Sequence, residues 1–318
     1  MHRKVIVLTE PDIAPPYDFE FQLHHYVLPP ETREKSKLIE VFRTTSGHMV
    51  KVDVSSTGTI RDPALTLCIW SAERLTAQDM SEVKDKVSWH LCLREDLRPF
   101  YSMVEQDPVL QASIGHNFGA KDKASYTLFD GLIDCVCAQN TIFKRLYSMM
   151  ENLAASFGDR FTLKGANYFL SPTPQALATA RVDRIKACKV GYRARYIKNL
   201  AKAVSNGVVN LDRIANLPLE EAREELMKLP GVGPYTADLS LILGTRRLSI
   251  LHMDLFIREA LTQFYFDGKT VSDQELREFA VKRWGPYQAY AGLYLTTNTE
   301  TWAKKIGREF RLKSGARY

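Results

Sequence analysis

The stretch LPGVGPYTAD, residues 229–238, crowds two glycines and two prolines around Val232 and then opens a helical pattern. The segment before it, LEEAREELMK, also has helical spacing. The reading is therefore helix, tight turn, helix over residues 220–245. Gly231 and Gly233 open backbone conformations that are strained for residues with a Cβ. Pro234 suits the first position of a helix, where a missing N–H is no loss. A turn this bare leaves the amides at the second helix start open, and with the helix dipole they attract an anion such as a phosphate. The same spacing also fits a plain connector with glycine at a C-cap. Spacing alone does not separate the two.

The chain changes character near residue 94. Before it, RKVIVLTE, DFEFQLHHYVLP, LIEVFRTT, HMVKVDVSS and ALTLCIWS read as short strands, with Phe19, Phe21 and Leu23 alternating onto one face of the second. The turn-forming SGH and TGTIRDP join them. After it, nearly every segment from REDLRPFYSMVEQDPVLQASI to AYAGLYLTTNTETWAKKI has helical spacing. Ser125 or Thr127 is the expected cap of one long helical stretch, and Gly158 its expected stop. The fold class is α+β: an N-terminal antiparallel β-sheet domain over residues 1–105, then a helical domain over residues 106–318. The basic tail KKIGREFRLKSGARY is expected to be partly disordered.

Lysine and arginine number 43 against 37 acidic residues, a formal charge of +6. That permits an anionic partner without requiring one. The cysteines are Cys68, Cys92, Cys135, Cys137 and Cys188, with no C-x-x-C pair and no zinc spacing. They read as small buried hydrophobes in a reducing compartment. No apolar run approaches the roughly 20 residues that span a bilayer. The apolar part of MHRKVIVLTEPD is too short for a secretory signal and reads as a first strand. The expectation is an intracellular protein with no membrane partner.

Taken with its surroundings, the hairpin resembles that of the helix-hairpin-helix DNA glycosylase superfamily, in its alkyladenine and 8-oxoguanine branches. That family follows the hairpin with an aspartate at the start of the next helix, and ILHMDLFIREAL puts Asp254 there. SYTLFDGLIDCVCAQNTIFKRLYSMMENLAASFG resembles the family's segment that wedges into the duplex. GYRARYIKNLAKAV and WGPYQAYAGLYL match as well. The likeness spans nearly the whole chain and is weakest in the first hundred residues. It implies a two-lobed helical domain with a cleft between the lobes. It also implies a monomer acting on double-stranded DNA in the cytoplasm or nucleoid, or in a nucleus.

Cleaving the bond between a base and deoxyribose builds positive charge on the sugar. A carboxylate beside that sugar stabilises the charge and orients or deprotonates a water. By resemblance, Asp254 has this catalytic role. An aspartate just before LFIREAL is also an ordinary N-cap worth about 1 kcal/mol, and one side chain can serve both purposes. The base must leave the stack before anything acts on it. The resemblance implies Asn140 as the wedge, Arg145 and Arg193 as readers of the orphaned cytosine, and Tyr192 stacking nearby. It places Gly231, Gly233, Tyr235 and Thr236 at the DNA. It gives the backbone carbonyls of Leu229 and Val232 a structural monovalent cation. No cysteine follows Cys188, so the four-cysteine iron–sulfur cluster of some relatives has no counterpart. No other cofactor is expected.

Tyr235 bears on the reaction type. Branches that also nick DNA carry a lysine there, whose amine forms a Schiff base. A phenol forms no imine, so the resemblance implies a monofunctional hydrolase without efficient AP-lyase activity. An aromatic face also favours a cationic base. Around it the 8-oxoguanine branch is rewritten: Leu239 replaces a cysteine, Phe256 a histidine, and Gly292 and Thr296 a glutamine and a phenylalanine. Trp284, Tyr287, Tyr290 and Tyr294 supply aromatic surface for the pocket wall or the core. The expected substrate is a damaged, alkylated purine lying opposite cytosine. The alternatives are an 8-oxoguanine glycosylase with an altered pocket and a non-catalytic damaged-DNA-binding protein, which would have no need of Asp254.

Overall fold

The computed structural model describes residues 1–312. Its N-terminal part holds β1 (His2–Leu8), α1 (Phe19–His24), β2 (Thr32–Glu34), β3 (Lys37–Arg43), β4 (Met49–Ser56), β5 (Leu65–Ser71) and α2 (Ala77–His90). The strands form one antiparallel sheet in the order β1-β5-β4-β3-β2. Val54 lies opposite both Leu38 and Leu67, so alternate residues of three strands reach the same face. Val83 and Val87 of α2 cover that face. A hairpin of β6 (Arg160–Leu163) and β7 (Ala166–Phe169) lies against the sheet elsewhere, where Phe161 and Leu163 meet Ile39 and Val41. It also explains a buried lysine: Lys51 pairs with Asp53 and lies 5.1 Å from the Tyr168 ring centroid.

Several sequence expectations need correction here. DFEFQLHHYVLP is not a strand. Asp18 caps α1 by accepting from the Phe21 amide at 3.0 Å, and Phe19, Gln22 and Leu23 are buried at helical spacing. The alternation of Phe19, Phe21 and Leu23 is compatible with either period, and the cap decides. Helix α2 was hidden among strands, although Thr76 and Asp79 form a reciprocal capping box that announces it. The β6–β7 hairpin interrupts the helical region. Its turn residues Lys164 and Gly165 both have positive φ, 50° and 82°, the backbone of a two-residue hairpin turn. Gly158 does follow a helix end, but in extended backbone at φ −80°. A Cβ there would lie 1.9 Å from the Leu170 carbonyl oxygen, so close chain approach accounts for this glycine.

The remaining helices are α3 (Arg98–Met103), α4 (Pro108–Asn117), α5 (Leu128–Ala138), α6 (Phe143–Phe157), α7 (Pro174–Thr179), α8 (Val182–Ile185), α9 (Arg193–Ser205), α10 (Leu211–Asn216), α11 (Leu219–Met227), α12 (Pro234–Thr245), α13 (Leu255–Tyr265), α14 (Asp273–Trp284), α15 (Gln288–Thr296) and α16 (Thr299–Lys305). Thr127 caps α5 through the Asp130 amide. The helices enclose two apolar cores. One is built by α5–α12, with Leu132, Leu200 and Leu241 at its centre. The other is built by α3, α4 and α13–α16 around Phe100, Trp284 and Trp302. The start of the basic tail is packed: Phe310 is buried, and the Arg308 guanidinium donates to the Phe264 carbonyl at 2.7 Å. Residues 313–318 of that tail lie outside the described residues. Among the described residues, no helix is long and apolar enough to cross a membrane.

Candidate active site

The hairpin forms as its sequence suggests, but its two glycines do different work. Gly231 sits at φ +83°, and a Cβ there would fall 2.4 Å from Cγ of Tyr196. It needs glycine on two counts, backbone and space. Gly233, by contrast, is extended at φ −97°, with open space around it. It is the N-cap of α12, Pro234 follows at the first position, and no side chain caps the helix. The first-turn amides thus lack a side-chain acceptor, the condition an anion site needs. The Leu229 carbonyl accepts from the Val232 amide at 3.1 Å and closes the turn.

Gln139, between α5 and α6, ties this hairpin to the turn that carries Asn140. Its Nε2 donates to the Gly231 carbonyl at 2.7 Å and to Thr236 Oγ1 at 2.9 Å. Its own carbonyl accepts from Arg193. The sequence reading passed over Gln139, since a glutamine in a turn carries no signal of a distant partner. Asn140 is exposed at φ +44°, a left-handed conformation that asparagine tolerates. Arg145 is exposed in the first turn of α6. Arg193 is buried, and it also donates to the Val190 carbonyl at 3.3 Å. Its guanidinium lies 4.6 Å from the ring centroid of Tyr192, which is 53% exposed.

Behind the hairpin lies a cavity of about 470 Å³, between the helical region and the sheet. Tyr235 from the first turn of α12, Leu239 one turn on, Asp254, Phe256 and Thr296 all line it. Asp254 is the N-cap of α13, with Oδ1 accepting from the Ile257 amide at 2.7 Å. Among the described residues the carboxylate makes no other hydrogen bond. The cap therefore fixes the side chain and leaves its second oxygen free. His252 also lines the cavity, 5.9 Å from the Tyr235 ring, and its Nδ1 is buried without a hydrogen-bond partner. The signal for it was present: in the extended run 251–254, Leu251 and Met253 are buried while His252 and Asp254 alternate toward the cavity.

Other residues assigned to the pocket lie elsewhere. Trp284 is fully buried between Tyr265 and Phe279 in the second helical core. Tyr287 packs on Phe100, as do Tyr290 and Tyr294. Gly292 faces the core, where a Cβ would come within 2.9 Å of Leu251 Cδ1. None of these five side chains or positions lines the cavity. Helix α15 reaches it through Ala289 and Leu293, and through Thr296 as expected. Of the two α15 positions expected in the pocket, Thr296 lines it and Gly292 does not.

The cavity is electronegative. Glu31, Glu40, Asp122, Asp130, Asp134 and Asp254 line it against the single amine of Lys123 and the imidazoles of His90 and His252. Burial pushes the Glu40 carboxyl up to about 7. Burial and the neighbouring Asp130 do the same to Asp134. Burial acts against charge here, and a cationic guest would offset it.

These features agree with the comparisons. Residues 133–286 match the family described as "HhH-GPD superfamily base excision DNA repair protein". A solved structure, the 3-methyladenine DNA glycosylase from Archaeoglobus fulgidus, superposes with a TM-score of 0.76 at 23% identity, covering 93% of this chain and 97% of that one. The match to the HhH-GPD superfamily thus falls on residues 133–286, and the fold is that of a solved DNA glycosylase. Among curated relatives, a Methanothermobacter thermautotrophicus protein named "Probable N-glycosylase/DNA lyase" is 25% identical over 252 residues, covering 73% of this chain and 78% of the relative. The "DNA-3-methyladenine glycosylase" of Bacillus subtilis is 22% identical over 304 residues, covering 92% and 96%.

Proposed function

We propose that the chain is a monofunctional DNA glycosylase that releases a cationic, alkylated purine flipped into this cavity. The observation that carries the reading is that Asp254 and Tyr235 line one cavity, and by the family resemblance Tyr235 puts a phenol where a Schiff-base lysine would stand. Asp254 faces the sugar. As the bond from C1′ to the purine nitrogen breaks, its electron pair goes to the base and the cationic purine leaves neutral. The carboxylate stabilises the positive sugar and accepts a proton from the water that adds to C1′. The Tyr235 ring and the electronegative lining favour a positively charged base over a neutral one. The uncapped start of α12 holds a phosphate, and Asn140 fills the gap left in the duplex. Arg145 faces the orphaned base, with cytosine opposite the lesion. The monovalent cation at the carbonyls of Leu229 and Val232 belongs to the same proposal, in a turn the Val232 amide already closes.

The test is a panel of duplexes bearing defined alkylated or oxidised bases, each opposite cytosine and opposite thymine. Release of N3- or N7-alkylated purines is expected. Asp254→Asn is expected to lower it by about 10²-fold or more while duplex binding stays. Asparagine caps as well as aspartate, so the variant's thermal midpoint should stay close to that of the parent. No base release from any duplex, or full release by the variant, would overturn the assignment.

A second reading has one observation in its favour. Lys123 brings an amine to the cavity wall, although Glu31 holds it at 2.7 Å. Lys228 and Lys144 do not line the cavity, and Lys228 pairs with Glu225. If borohydride traps a covalent DNA complex, and Lys123→Gln removes it, the enzyme is a lyase as well.

A further inference from the structure

On the sheet side of the cavity, three side chains point one atom each at a common space. Glu31 precedes β2, Glu40 lies on β3 and His90 ends α2. Oxygens of the two carboxylates and a nitrogen of the imidazole lie within 4.8 Å of one another. In each residue one atom is anchored and the other is free. Lys123 Nζ donates to Glu31 Oε2 at 2.7 Å, and Glu31 Oε1 is buried without a hydrogen-bond partner. Tyr126 donates its hydroxyl to Glu40 Oε2, and Glu40 Oε1 is likewise buried and unpartnered. The Ala124 carbonyl lies 2.5 Å from His90 Nδ1, which sets the tautomer with the proton there and leaves the lone pair on Nε2. Nε2 is buried without a hydrogen bond, with Glu31 Oε1 3.5 Å away as its nearest carboxylate oxygen. Glu31 and Glu40 are 6% and 1% exposed.

Unpartnered buried acceptors are costly, at about 1–3 kcal/mol each, so three converging on one point call for a ligand that satisfies them together. Lone pairs on all three need an electron-pair acceptor. His90 Nε2 and Glu31 Oε1 are 3.5 Å apart, close to the roughly 3.4 Å between two ligands of a tetrahedral ion with bonds of about 2.1 Å. The anchoring by Lys123, Tyr126 and the Ala124 carbonyl is the outer shell that orients ligands in metal sites. The Tyr126 ring, stacked 4.8 Å from the imidazole, holds its plane.

We propose that Glu31, Glu40 and His90 bind one divalent first-row transition metal ion. One imidazole and two carboxylates neutralise its charge and suit zinc, manganese or cobalt. Three protein ligands leave at least one coordination position open, facing the cavity that Asp254 lines from the helical side. The proposal does not depend on which base the enzyme removes.

The experiment uses the whole, tag-free chain, stripped with a chelator and titrated with Co²⁺. One equivalent is expected, with visible d–d absorption and without the thiolate charge-transfer band that the cysteines would give. Glu40→Gln and His90→Gln are each expected to weaken binding more than tenfold. Circular dichroism of the stripped proteins checks that both variants fold. If either does not, Tyr126→Phe replaces it, with a loss of about 10–100-fold expected from the missing anchor. A folded parent chain that binds no stoichiometric Co²⁺, affinity unchanged in the folded variants, or a thiolate band would each overturn the proposal.

Discussion

At the scale of single residues, burial turns acids into pH-dependent liabilities. Asp134 of α5 is pushed up to about 7, first by burial and then by the charge of Asp130. Its unfolded value is the ordinary one near 3.8. Between these values the folded chain holds a proton that the unfolded chain has lost, so stability falls as pH rises from about 4 to about 7. His25 acts in the opposite sense, because burial lowers it to about 4 and stability rises with pH up to its unfolded value of 6.5. A single pH profile therefore mixes the two, and a difference isolates one. Asp134→Asn removes a titrating group and keeps the shape. The thermal midpoint of the variant minus that of the parent should climb from pH 4 to pH 7 and level off above. Parallel curves would show that Asp134 ionises normally and that its part of the cavity is wetter than the structure has it.

At the scale of elements, the hairpin gives the sharpest contrast between two chemically identical positions. Gly231→Ala must hold alanine in a left-handed conformation, at about 1–2 kcal/mol, and must also displace the Tyr196 ring. A loss of at least about 2 kcal/mol is expected in urea unfolding. Gly233→Ala meets neither obstacle and changes only an N-cap, for less than about 1 kcal/mol. Equal losses would mean that the turn differs from the one described. The sequence made both glycines look alike because a G-x-G spacing carries no φ. The same limit explains the other misreadings. Phe19, Phe21 and Leu23 fit either period until Asp18 caps the helix. Helix α15 was legible as a helix, but which of its faces met the cavity depended on partners distant in the chain. Tyr235 and Asp254 were placed through their neighbours in sequence and a family pattern. Gln139 and the Glu31–Glu40–His90 group come together only by tertiary packing.

At the scale of the whole molecule, one buried carboxylate bridges the two helical cores. Asp238 of α12 is fully buried and meets Arg223 Nε of α11 at 2.6 Å and Arg277 Nη1 of α14 at 2.9 Å. The same Arg277 nitrogen donates to the Leu251 carbonyl at 3.1 Å, three residues before Asp254. The hairpin helix is thereby tied across the lobes to the segment that delivers the proposed catalytic aspartate. Removing Asp238 strands two partly buried guanidinium groups and cuts that tie. Asp238→Ala is expected to cost about 3–5 kcal/mol in urea unfolding, the range for breaking a buried pair from one side. The Arg258–Asp273 pair provides the control, because it has similar geometry at 2.7 Å but both partners are substantially exposed. Asp273→Ala should cost less than about 1 kcal/mol from the lost pair. Base release by Asp238→Ala, measured where the variant is still folded, should fall with duplex binding retained, because the segment before Asp254 loses its anchor. Comparable losses for the two aspartates would remove Asp238 from the role of bridge and leave apolar packing alone to hold the lobes in register.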